Sequence, residues 1–314
     1  MSTRIEQYLE AITSAEAEGS LNKLDYLSGF SGEKLLGALQ RLTAAACDQD
    51  RVYCEIGVFQ GLSLISVAAA NPDVSAFGID NFAFFDPENK NKSLVLERKE
   101  KAGADNVELL DLDYEDALEQ FAERAGGRKI GMFFIDGPHD YRSQLMCLML
   151  AKPLLADDAV IVIDDCNYAH VRQANRDFLA THPSFKLLYE NYTPKHPQNM
   201  SEAEQAEARR GWWDGVNIIA CDPGDELPYM EPATLRSRQL YENDHEIHAM
   251  RQAHVGHHAV RLANFLKPFR PLKLARQLLV VLKKVRGNEM ADACAHDSMN
   301  VYTDGLGRRI NSPR

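Results

Sequence analysis

The sequence predicts an α/β fold: a seven-stranded, mostly parallel sheet flanked by helices, with N-terminal helices before it and a C-terminal helical extension after it. Two observations lead there. Between Arg51 and Asp222, seven short apolar runs alternate with helix-like segments, as strands joined by crossover helices do. The chain has 314 residues, 45% of them hydrophobic, enough for one sizeable core with additions at either end.

Residues 1–50 read as helices packed ahead of the sheet, with Gly29, Gly32 and Gly37 breaking the pattern. The seven runs are VYCEIGV, VSAFGID, NVELLDLD, KIGMFFID, AVIVIDD, FKLLYENY and GVNIIACD, and together they make one domain over 51–222. The small-residue segment LSLISVAAA after the first run and YRSQLMCLMLAKPLL before the fifth read as helices. Between the sixth and seventh runs lies an insertion at 191–213, in which Ser201 and Glu204 have capping-box spacing, placed to cover a pocket. Residues 223–288 read as a helical basic extension, and 289–314, polar and without a period, as a mobile tail.

No run of about 18 apolar residues occurs, and the N-terminus is acidic and helix-like without a signal-peptide apolar segment, so a cytoplasmic location is expected. The six cysteines (Cys47, Cys54, Cys147, Cys166, Cys221, Cys294) form no CxxC pair and read as reduced, structural thiols. The net charge is −11, but Ile247 to Asn288 holds nine Lys or Arg and no acid, leaving 26 basic against 46 acidic residues elsewhere, or −20. An acidic body argues against nucleic acid as a partner.

In an open α/β sheet, ligands collect outside the carboxyl ends of the strands. The first run ends in Glu55-Ile56-Gly57-Val58-Phe59-Gln60-Gly61 and passes straight into a helix; Gly57 and Gly61 permit a tight turn and close backbone approach of a ligand at a helix N-terminus. The spacing lacks the tighter fingerprint by which dinucleotide enzymes cradle a pyrophosphate. The second run ends in Asp80, positioned to accept ribose hydroxyl hydrogens, and the third in Asp111-Leu112-Asp113, where an acid can meet an adenine amino group. The ordered series reads as a purine nucleoside site.

Over about Arg51 to Asp222 the chain resembles the class I S-adenosylmethionine-dependent methyltransferases, with their Rossmann-like fold. Their first motif is an acid, a Gly and a second Gly at the spacing of Glu55, Gly57 and Gly61; the resemblance assigns ribose to Asp80 and adenine to Asp113. It implies a cytoplasmic enzyme moving a methyl group from S-adenosylmethionine to a small-molecule acceptor.

The fourth run ends in Ile135-Asp136-Gly137-Pro138-His139 and the fifth in Ile163-Asp164-Asp165. Asp136, Asp164 and Asp165 on one rim would repel one another unless a cation or protons intervened, and hard oxygen ligands suit Mg²⁺. A metal there would lower the pKa of an acceptor hydroxyl, which points to O-methylation. Asp136 also borders the cofactor. His139, with an unperturbed imidazole pKa of about 6.5, is the first choice of general base, and Asp136 shares that role if it is not a ligand. The pattern IDGPHDY followed by LLADDAVIVIDD and Asn167 resembles the branch that includes metal-dependent macrolide sugar O-methyltransferases, which implies magnesium at Asp136, Asp164 and Asp165, a base at His139 and a sugar acceptor. The bland alternative is that Asp164 or Asp165 caps a helix starting near Tyr168.

Trp212-Trp213 either stacks on a sugar or planar acceptor, or puts one ring in the core and one on the surface. His245, His248, His254, His257 and His258 allow a zinc site but read better as a solvated helix. The basic amphipathic stretch 262–287 packs on the acidic body or a second subunit of a homo-oligomer, or touches an anionic membrane surface. Two other functions stay open: a metal-independent methyltransferase acting on a nitrogen acceptor, and a non-catalytic nucleoside-binding protein.

Overall fold

The computed structural model describes residues 3–83, 85–234, 261, 262, 264, 278–280, 282, 303 and 305–313. The histidine cluster, Cys294, and most of the basic extension and tail lie outside the described residues. Among the described residues, no helix is long and apolar enough to cross a membrane.

Two helices precede the sheet, α1 (Arg4–Glu18) and α2 (Glu33–Ala46). A capping box starts α1: Thr3 accepts from the Glu6 amide and the Glu6 side chain accepts from the Thr3 amide. The alternating part then runs β1 (Arg51–Ile56), α3 (Leu62–Ala70), β2 (Ala76–Ile79), α4 (Asn91–Ala102), β3 (Val107–Leu110), α5 (Tyr114–Arg124), β4 (Lys129–Ile135), α6 (Tyr141–Ala151), β5 (Leu155–Ile163), α7 (Ala169–Thr181) and β6 (Phe185–Asn191). The insertion carries α8 (Glu202–Arg210), begun by the Ser201–Glu204 capping box read from the sequence, and leads into β7 (Val216–Cys221).

Among the described residues the sheet has eight strands rather than seven, in the order β3-β2-β1-β4-β5-β7-β6-β8. The eighth, β8 (Arg309–Ile310), is only two residues long and sits in the polar segment expected to be mobile, so no apolar run announces it. It pairs antiparallel with β6, and its neighbour Asn311 donates from its amide to Leu188 O at 2.8 Å, which ties this end of the chain to the sheet edge. The pairs among β1 to β5 are parallel, while β7 is antiparallel to both β5 and β6.

Side chains alternate across the strands, and each face of the sheet has its own core. Tyr53, Met132, Phe134, Val160 and Val162 pack with α1, α2 and α3 on one face. Cys54, Phe133, Ile135, Ile161 and Ile163 pack with α5, α6 and α7 on the other. The register sets Leu110, Ile79, Ile56, Ile135 and Ile163 side by side as the last residues of five parallel strands. Whatever follows each of them therefore emerges on one rim, and strand order reverses direction between β1 and β4, the position at which sheets of this kind form a ligand crevice.

Candidate active site

At the end of β1 the chain turns through Gly57, with φ +89°, into α3, whose N-cap Gly61 has φ +83°. A Cβ on Gly57 would stand 1.8 Å from the Asp136 carbonyl oxygen, so only glycine lets this loop lie against the end of β4. Glu55, beneath the loop, is fully buried. It accepts from Tyr53 Oη at 2.5 Å and Ser63 Oγ at 3.1 Å, and burial pushes its carboxyl up to about 8 despite these donors. Glu55 thus supports the loop from inside the fold.

Asp80, at the end of β2, accepts on Oδ2 from the amides of Val58 (2.9 Å) and Phe59 (2.7 Å) and on Oδ1 from Phe82 (2.7 Å). The acid expected to meet ribose is placed here as a brace for the glycine loop. Asp113 is exposed and is the N-cap of α5, accepting from the Glu115 amide at 2.9 Å. Its neighbour Asp111 is paired with Lys92 at 2.7 Å.

Across the crevice, one donor atom each from Asp136, His139 and Asp165 lies within 4.8 Å of the others. His139 Nε2 stands 2.5 Å from Asp165 Oδ2. Asp164 is outside this group: its carboxylate is buried and its Oδ1 accepts from the Asp165 amide at 2.9 Å. Neither acid caps a helix, since α7 begins after Tyr168 with no side-chain cap. The acids expected to crowd the rim do so. Burial, then the nearby Asp165, Glu55 and Asp80, raise Asp136 well above the carboxylate range, and burial, then Asp165 and Asp136, do the same to Asp164. Burial also pushes Asp165 upward, but the adjoining His139, with help from Asp214 and His196, outweighs it and the net shift is down.

Three more residues complete this side. Asp214 is buried and hydrogen-bonded to Asp165, and burial followed by that neighbour raises its carboxyl strongly. Asn167 Nδ2 donates to Asp214 Oδ1 at 2.7 Å. His196, from the insertion, lies 3.4 Å from Asp214 Oδ2 and 3.0 Å from Tyr168 Oη. Asn167 stood in the motif after the fifth run, but Asp214 and His196 escaped a search confined to the carboxyl ends of strands. Because β7 runs antiparallel to β5, with Asn217 opposite Ile163, its beginning lies on the same rim. An acid just before an antiparallel last strand is the signal that would have found Asp214.

Both tryptophans are buried, so neither ring lies on the surface. Trp212 is in the core, its ring 5.0 Å from that of Tyr189. Trp213 faces Phe30, and the guanidinium of Arg209 lies 4.5 Å from its ring centroid.

The glycine turn, the acid at the end of β2 and the carboxylates of β4 and β5 lie within one continuous segment that is similar to a known family. Residues 54–166 match the family model of a methyltransferase domain. No curated protein matches the chain. Among solved structures, the cofactor-bound Rv0187 from MTB is 22% identical, with 70% of this chain and 90% of that one covered and a TM-score of 0.44. An O-methyltransferase from Bacillus cereus in complex with SAH is 17% identical, with 71% and 92% covered and a TM-score of 0.45. The calicheamicin methyltransferase CalS11 is 16% identical, with 46% and 69% covered and a TM-score of 0.39. Identities and scores this low transfer neither acceptor nor cofactor to this chain.

Proposed function

We propose that the protein is an S-adenosylmethionine-dependent O-methyltransferase acting on a hydroxylated small molecule, a class that includes sugars, with a divalent cation held by Asp136, His139 and Asp165. One observation carries the reading: the glycine loop lies at Gly57 against the backbone of Asp136, whose carboxylate belongs to this donor group, on the rim where β1, β4 and β5 end. The methyltransferase family match over 54–166 supports the cofactor half. Two carboxylates suit Mg²⁺, and the imidazole also admits softer divalent ions.

In the reaction the acceptor oxygen forms a C–O bond to the methyl carbon as the C–S bond breaks, S-adenosylhomocysteine leaves, and the hydroxyl proton passes to a base. A bound cation supplies charge that lowers the pKa of the hydroxyl. Glu55 and Asp80 hold the loop in shape, while Asp214, itself held by Asn167, holds Asp165.

The 2.5 Å contact between His139 and Asp165 favours a second reading, in which the pair acts without metal and Asp165 orients His139 as general base. Calorimetry with S-adenosylhomocysteine, then methyl transfer from labelled S-adenosylmethionine to a small-molecule extract with and without chelator, tests both. Binding of S-adenosylhomocysteine and chelator-sensitive transfer are expected. Transfer that survives chelation replaces the first reading with the second, and absence of cofactor binding sinks both.

A further inference from the structure

His196 comes from inside the insertion between β6 and β7, yet its side chain is buried against the rim. The insertion is closed at its neck by Asn167, which is fully buried two residues after Asp165. Asn167 Nδ2 donates to Thr193 Oγ1 at 2.5 Å, where the chain leaves β6, and to Asp214 Oδ1 at 2.7 Å, where it returns toward β7. Its Oδ1 accepts from the Thr193 amide at 3.1 Å, and its own amide donates to Asp214 O at 2.9 Å. A Cβ on Gly215 would stand 2.6 Å from Asn167 Oδ1, so the returning chain lies tight against this side chain. His196 follows three residues after Thr193, close to the pinned neck.

From there His196 Nε2 lies 3.0 Å from Tyr168 Oη and 3.4 Å from Asp214 Oδ2. Each of these partners leads back to the same pair. The rings of Tyr168 and His139 have centroids 5.2 Å apart and planes 31° from parallel. Asp214 is hydrogen-bonded to Asp165, whose Oδ2 stands 2.5 Å from His139 Nε2. The contacts close on themselves, running from His139 through Asp165, Asp214, His196 and Tyr168 back to His139.

A closed circuit of contacts fixes each member from two sides. Asp165 has φ 53°, a left-handed conformation that is uncommon outside glycine and persists where the surroundings hold it. The His139 side chain is 35% exposed, so its ring depends on Asp165 on one side and Tyr168 on the other. His196 joins the supports of both.

We propose that His196 is a positioning residue: by bridging Tyr168 and Asp214 it fixes His139 against Asp165, so that the insertion helps to build the reacting site as well as lying over it. The proposal rests on the methyltransferase reading of this rim and adds to it what orients the pair, whether His139 serves as ligand or as base.

The short contact supplies a readout that needs neither cation nor acceptor. The proton held between His139 Nε2 and Asp165 should give a downfield imidazole N–H resonance in the proton NMR spectrum of the full chain, assigned by its loss in His139→Gln. His196→Ala is expected to lose that resonance to exchange with solvent. His196→Gln, whose amide can reach the same two oxygens, should retain it. Ser201→Ala should retain it too, because it breaks the cap of α8 and loosens the same insertion without touching the circuit. Tyr168→Phe removes one oxygen and keeps the ring; it should weaken the resonance, and it takes over the test if His196→Ala does not fold. A wild-type spectrum without the resonance, an unchanged resonance in His196→Ala, or an equal loss in Ser201→Ala overturns the positioning role.

A second arm titrates Mn²⁺ by calorimetry with S-adenosylhomocysteine present. Outer partners of metal ligands carry roughly 10–100-fold in metal affinity, so His196→Ala should bind Mn²⁺ about tenfold or more weakly and Ser201→Ala as the wild type does. Equal affinity in His196→Ala and wild type counts against the positioning role. Wild type that binds no Mn²⁺ strikes the cation reading, and wild type that binds no S-adenosylhomocysteine strikes the methyltransferase reading; in either case the resonance still decides the role of His196.

Discussion

Glu55 shows what one buried acid does beneath a binding loop. Its two hydroxyl donors do not offset the loss of water, and its carboxyl moves from 4.5 up to about 8. The raised value sets the sign of its pH effect. Below pH 4.5 the folded and unfolded chains both hold the proton, and the favourable term is complete. Between 4.5 and 8 the unfolded chain releases the proton and the folded one keeps it, so stability falls as pH rises, by up to roughly 4–5 kcal/mol across the window. Urea unfolding midpoints of Glu55→Gln should therefore decline less between pH 5 and 8 than those of the wild type. Parallel curves would show that the carboxyl is ionised throughout. Which acid lies at which rim position was legible residue by residue, from Glu55 through Asp165. The partner of each was not, because hydrogen bonds such as Asp80 to the Phe59 amide join residues 21 apart.

At the scale of elements, β8 is the smallest piece with the widest reach. Arg309 pairs with the buried Glu190 of β6 and also donates to Glu231 O at 2.7 Å. Arg308 pairs with Glu16 of α1 at 2.6 Å, and Tyr189 of β6 donates to the same carboxylate at 2.6 Å. The end of the chain thus joins the sheet edge to the first helix. Arg309→Ala leaves Glu190 buried with Tyr192 Oη and the Ala233 amide as its remaining partners, and should cost about 1–3 kcal/mol in urea unfolding. Removing residues 307–314 should cost at least as much and expose the β6 edge to pairing with other chains, visible as aggregation in light scattering. A loss below about 0.5 kcal/mol in both would show the clamp to be ornamental. The long elements were readable because their apolar runs recur. Two residues of strand in a polar segment have no period to read, and only the edge of β6 makes them a strand.

For the whole molecule, a sheet with a separate core on each face leaves its polar chemistry to the rim, and the rim is overloaded with acid. Asp136, Asp164 and Asp214 are all pushed upward by burial and, next, by their common neighbour Asp165. A cation bound only by the folded state relieves that crowding and stabilises the fold by mass action, by about 2.7 kcal/mol at a hundred times its dissociation constant. Saturating Mg²⁺ or Mn²⁺ should therefore raise the thermal unfolding temperature of the wild type. Asp165→Asn should abolish the gain, and Asp164→Asn, whose carboxylate lies outside the donor group, should keep most of it. The reverse order would favour the triad of Asp136, Asp164 and Asp165 read from the sequence and its family resemblance.

Read from residues alone, the chain declares its layered α/β plan, the glycine turn after β1 and the row of acids at strand ends, because hydrophobic period and turn chemistry are local properties. It does not declare that His139 joins Asp136 and Asp165 while Asp164 accepts from the Asp165 amide instead, that Asp214 enters from an antiparallel strand, or that Phe30 and Trp213 face each other from segments far apart. Those arrangements depend on register, strand direction and the packing of distant segments, which exist only once the chain has closed on itself.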